Sequence, residues 1–165
     1  MGSTQLGGVL ALLCAACATS GLRPLVLDGP ELHASLAPKP LHAAHHGVPD
    51  GVCGNPWFSA DAATVDSITR SASQGQLGGE GIRAALFAVY QGENEVGLYG
   101  LETGSTEQSD RLEGILRAIW AHNERLGRAR VHRGGRVFVV VWNDGVSPAC
   151  WQAVNRGVIE RLADR

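Results

Sequence analysis

Arg136-Val137-Phe138-Val139-Val140-Val141-Trp142 is the stretch that decides the fold. Six apolar residues follow one another without a polar interruption. A strand with one face in water alternates apolar and polar side chains; a strand that does not alternate is covered on both faces. Gly134-Gly135 in front is a hairpin signal, and Asn143-Asp144-Gly145 behind is a turn signal. The segment therefore reads as a short central strand on which the rest of the domain packs.

Upstream, Arg128 to Arg133 forms its hairpin partner, with Ala129 and Val131 on one side and Arg128, Arg130 and His132 on the other. Ser105 to Leu126 is the clearest helix. Ser105 and Gln108 form a capping box, Leu112, Ile115, Leu116, Ile119, Trp120 and Leu126 make an apolar stripe, and Gly127 is a stop. Ile82 to Gln91 and Val96 to Leu101 read as a hairpin around Gly92-Glu93-Asn94-Glu95, its second strand weakened by Gly97 and Gly100. Downstream, Ser147 caps a last helix with Pro148 at its first position and Trp151, Val154, Val158 and Leu162 inward.

From residue 82 the order is strand, strand, helix, strand, strand, helix. This predicts a two-layer α+β domain: a four-stranded, mainly antiparallel sheet with helices on one face and strands 82–91 and 136–142 at its centre. An extra N-terminal helix capped by Ser59 and running to Ser73, with Val65, Ile68 and Ala72 inward, is expected to cover the second face.

The 165 residues suit one domain plus accessory segments. Residues 1–20 read as an export signal, 21–57 as a tether or irregular arm, and 58–165 as the folded domain. Val9 to Ala16 is an apolar run too short to span a bilayer, followed by small residues. Leu13-Cys14-Ala15-Ala16-Cys17 resembles the lipobox of bacterial lipoproteins. The resemblance implies acylation of Cys17, a membrane anchor, and a periplasmic or outer-surface location. Ala16-Cys17-Ala18 also offers a cleavage site for ordinary secretion nearer Thr19. Six of the seven prolines fall within 21–57, where each removes a backbone donor.

Export leaves two cysteines, Cys53 and Cys150, and two thiols in an oxidising compartment are usually paired. The expected disulfide closes a loop of nearly the whole domain, worth about 4–5 kcal/mol by the chain-entropy argument. Alternatively, Cys150 is an inert buried thiol. In a third reading, its place in the first helical turn makes it a nucleophile, with His122 or His132 as base. Arg128, Arg130 and His132 align on one strand face and could take an anionic ligand, or simply be solvated and balanced by Asp110, Glu113 and Glu124. His42, His45 and His46 have spacing that a metal could use, but Pro40 and Gly47 leave little room for a helix there.

The Gly-rich stretch 74–81 lacks the Lys-Ser/Thr of a phosphate-binding loop. A net charge of −2 gives no general attraction to nucleic acid, which is not an expected partner, and no motif calls for a cofactor. The reading is an exported, membrane-anchored binding or scaffolding domain whose partner is an anionic ligand or an envelope protein. The alternative is a cysteine enzyme built on Cys150.

Overall fold

A computed structural model describes residues 21–28, 34–41, 47–163 and 165. Its strands are β1 (Ala37–Pro38), β2 (Trp57–Ser59), β3 (Ile82–Gln91), β4 (Glu95–Thr103), β5 (Ala129–Gly134) and β6 (Val137–Asn143). Its helices are α1 (Ala62–Ala72), α2 (Thr106–Arg125) and α3 (Pro148–Ala163), with a 3-10 turn at Arg23–Leu25. The fold is α+β. The strands run β1-β3-β4-β6-β5, with β2 beside β1 on the outer edge of β3, and every pairing is antiparallel.

The sheet has six strands rather than four, because the proline-bearing arm supplies β1 and β2. It lies between two helical layers, divided otherwise than expected. Val137, Val139 and Val141 face a core shared with Val154, Val158 and Leu162 of α3 and with Leu22, Leu25 and Leu27 of the arm. Phe138 and Val140 face an opposite core shared with Val65 and Ile68 of α1 and Leu112, Leu116 and Trp120 of α2. This is the physical content of the missing alternation in β6: both faces are dry. The helix at 62–72 shares its face with α2, and the second face is closed by α3 together with the arm.

The helix ends follow capping chemistry. Ser105 Oγ accepts the Gln108 N–H at 3.2 Å, and Ser147 Oγ accepts the Cys150 N–H at 3.3 Å. For α1 the cap is Asp61 rather than Ser59: Asp61 Oδ2 accepts the Thr64 N–H at 3.0 Å. That bond, with the Thr64 hydroxyl, holds the Asp61 carboxyl below its ordinary range.

The innermost strand is β4, placed between β3 and β6. Its two glycines make room for neighbours. A Cβ on Gly97 would meet the Trp142 indole, and one on Gly100 would stand 2.9 Å from Leu86 Cβ and 3.3 Å from Leu22 Cδ2. Leu22 and Leu25 are fully buried, and the Leu27 N–H donates to the Tyr90 hydroxyl at 2.9 Å. Burial pushes the Tyr90 phenol up to about 12, so it stays protonated as the acceptor. The described start of the arm is thus part of the domain's core.

Side chains take backbone groups on the outer sides of β5 and β3. On β5, the Val131 N–H donates to Glu124 Oε1 at 3.0 Å, and Arg117 Nη1 donates to the Val131 carbonyl at 3.3 Å. On β3, the gap between β1 and β2 is filled by the Asn55 amide. Asn55 Oδ1 accepts the Val89 N–H at 3.0 Å, while its Nδ2 donates to the Val89 carbonyl.

Candidate functional site

The sheet end marked by Gln91, Glu95 and Asn143 carries a pocket on the α2 side. Its floor comes from three neighbouring strands: Phe87 and Val89 from β3, Tyr99 from β4 and Trp142 from β6. Trp120 of α2 forms one wall, and Leu41, Gly47 and Val48 of the arm form another. The pocket measures about 260 Å³.

Each aromatic is held by an identifiable contact. The Trp120 indole N–H donates to the Ala72 carbonyl at the end of α1, at 2.7 Å. Phe87 and Tyr99 pack with ring centroids 5.5 Å apart and planes tilted by 45°. Trp142 stands opposite Gly97 in the ladder and covers the space that glycine leaves open. The Trp142 Nε1 is buried without a hydrogen-bond acceptor. Burial pushes the Tyr99 phenol up to about 12, so it is a neutral hydroxyl at physiological pH.

Lys39 and Glu95 also line the pocket and form a charge-assisted pair with each other. Their side chains remain 20% and 28% exposed, so the pair is open to water. The site thus combines apolar walls, one neutral hydroxyl and one charged pair. That is the composition of a ligand pocket, with apolar surface for affinity and a few polar groups for orientation. None of the described residues that line it is a histidine or a cysteine.

The residues singled out from sequence lie elsewhere. Cys53 and Cys150 are both thiols, not a disulfide. Cys53 lies exposed beside Val52, on the α1 side of the sheet, while Cys150 is buried in the α3-side core, so the sheet separates them. Cys150 Sγ is 3.0 Å from Ser35 Oγ, next to a hollow of about 490 Å³ lined by Asn94, Gly145 and Ser147. Of the two histidines considered as its base, His122 is on α2, the helix of the opposite face. His132 does share the α3 face, but its Nε2 is 2.7 Å from Asn155 Oδ1. Burial lowers the His132 pKa from its ordinary value, which favours the neutral ring in that contact.

Arg128, Arg130 and His132 do not converge on a common anion. Arg128 is exposed, and Arg130 Nη1 donates to the Glu124 carbonyl at 2.8 Å and to Ala129. Arg133, on the other strand face, binds Asp110 and Glu113 of α2 at 2.8 Å each and lies over the Phe138 ring. Arg117 Nε also donates to Glu113 Oε1 at 2.9 Å, and the bonds from Arg133 and Arg117 hold the Glu113 carboxyl below its ordinary range. Cys17, His42, His45 and His46 lie outside the described residues, among which no group of three His, Cys, Asp or Glu side chains is placed to hold a metal.

Phe87 and Tyr99 read from sequence as strand residues and Trp120 and Trp142 as core or half-buried anchors rather than a ligand box, because periodicity marks a face without showing where helical cover stops. No protein-family model, curated protein or solved structure matches the chain.

Proposed function

We propose that this chain is an exported binding domain, held at a membrane by a lipid on Cys17, that takes a small apolar or aromatic ligand into the Phe87–Tyr99–Trp120–Trp142 pocket. One observation carries the binding reading: four aromatic side chains from three strands and a helix converge on an open hollow with a charged pair among its lining residues. Aromatic walls offer large apolar area and ring-stacking geometry, which suits a flat ligand. A charged or polar head on that ligand has Lys39, Glu95 and the Tyr99 hydroxyl to engage.

The export reading is supported by the apolar run, the small residues and the lipobox-like Leu13 to Cys17. Among the described residues no helix is long and apolar enough to cross a membrane, so in this reading the membrane contact rests on the lipid.

Titration with anilinonaphthalene sulfonate, an aromatic ring system bearing one anionic head, tests the pocket. Saturable binding is expected, weakened by Lys39→Ala and abolished by Val48→Trp, which fills the hollow while leaving thermal unfolding cooperative. Equal binding to the parent and to a folded Val48→Trp variant would sink the assignment. Mass spectrometry of the N-terminal peptide tests the address: an acylated Cys17 is expected, and an unprocessed Met1 would remove the export claim.

A further inference from the structure

The strands give the domain two ends. The far end carries the Gly92–Asn94 turn, Glu95 and the aromatic pocket. The near end carries Thr103, the β5–β6 hairpin at Gly134–Gly135, the last turn of α3 and Gly21. β4 runs from one end to the other over nine residues, about 27 Å at the usual rise.

Gly21 is fixed to the near end. Its N–H donates to Glu102 Oε2 at 3.1 Å, and Leu22 next to it is fully buried. Only residues 18, 19 and 20 separate Gly21 from Cys17. Fully extended, that link spans at most about 14 Å, roughly half the length of the sheet. A lipid on Cys17 would therefore keep the near end at the bilayer surface.

The near end has the side chains for such a surface. Around Gly21 lies an open concavity of about 650 Å³ lined by Pro24, Arg136, Arg161 and Arg165. Arg136 and Arg165 are exposed; their guanidinium groups donate to the carbonyls of Gly104 at 3.2 Å and Arg161 at 3.3 Å, and Arg165 Nη1 lies against Gly21. Among the described residues, Glu102 accepts the Gly21 N–H and Asp28 pairs with Arg161 at 3.3 Å. Guanidinium groups bind phosphate oxygens through paired N–H donors.

We infer that the end of the domain carrying Gly21, Arg136 and Arg165 rests on phospholipid headgroups, and that the aromatic pocket consequently opens at the opposite end, toward the aqueous compartment. This rests on the reading that Cys17 is lipidated.

The test uses the acylated full-length product in vesicles of phosphatidylethanolamine and phosphatidylglycerol containing a spin-labelled lipid quencher. A bimane fluorophore is placed by Arg136→Cys at the near end, or by Glu93→Cys at the far end, in a Cys53→Ser background. Severalfold stronger lipid quenching at position 136 than at 93 is expected, and Arg165→Glu should lower the signal at 136. With the lipid confirmed by mass, equal quenching at the two positions would overturn the orientation alone. Quenching at 136 indifferent to Arg165→Glu would overturn the headgroup contact. Absence of the lipid would overturn the anchor itself and this orientation with it.

Discussion

Trp142 lies flat against Gly97 across the β4–β6 ladder, so close that a Cβ on Gly97 would stand 2.1 Å from the indole Cε2. The absence of a side chain on one strand is what seats the largest side chain on the next. Gly97→Ala should therefore displace the ring and cost about 1–3 kcal/mol, the usual range for overpacking a well-fitted site. Urea denaturation would show it, together with weaker binding of anilinonaphthalene sulfonate. A neutral effect on both would mean that the indole has room to move.

The arm should behave as core rather than as tether. Leu22 is fully buried between β4 and the α3 layer. Leu22→Ala should destabilise by about 2–5 kcal/mol, in the range for emptying a leucine site. Removal of residues 21–28 should abolish cooperative unfolding, measured by circular dichroism; a deletion that melts like the parent would restore the tether reading.

Acid should weaken the fold first through His132. Its folded pKa lies below the ordinary 6.5 because of burial, so as pH falls through that value the unfolded chain takes up a proton that the folded chain does not. Stability attributable to this group is constant at higher pH. It declines below about 6.5 until the folded ring is protonated as well. Glu113 acts in a lower window: its depressed pKa adds stability above the ordinary 4.5, which is lost as the carboxylate protonates. His132→Gln should flatten the upper part of the stability–pH curve and leave the lower part in place, as read from urea midpoints across the acid range.

The two thiols should differ sharply in reactivity. Cys53 is exposed, and iodoacetamide should modify it in the native protein. Cys150 is 4% exposed and should react only after denaturation. Peptide mapping decides this, and a Cys53–Cys150 crosslinked peptide in a non-reducing digest would contradict the arrangement.

The regular elements were legible because their signals are local. The capping box at Ser105, the stop at Gly127 and the unbroken run 137–142 each mark an element without reference to anything distant, and the structure has an element at each. Signals that depend on a partner were misread. Gly97 and Gly100 look like defects in a strand until Trp142, Leu86 and Leu22 are placed over them. Proline in the arm predicts irregular backbone, which is compatible with Leu22, Leu25 and Leu27 filling a core. The pairing of Cys53 with Cys150 follows from elimination alone, and elimination carries no information about which side of a sheet each residue occupies. The pocket was invisible for the same reason: its aromatics come from positions 87, 99, 120 and 142, and no spacing links them.

Glu124, Arg117 and Asn55 have a consequence for how this molecule keeps company. Sheets recruit other sheets through unsatisfied backbone at their margins, and that is how strand exchange and fibrillar stacking begin. Here the Val131 amide and carbonyl are both taken by side chains of α2, and Val89, on β3 between the residues paired with β2 and those paired with β1, is taken by the Asn55 amide. A second copy of the chain finds no vacant rung at either position. Backbone addition at those two rungs would first have to displace a side chain.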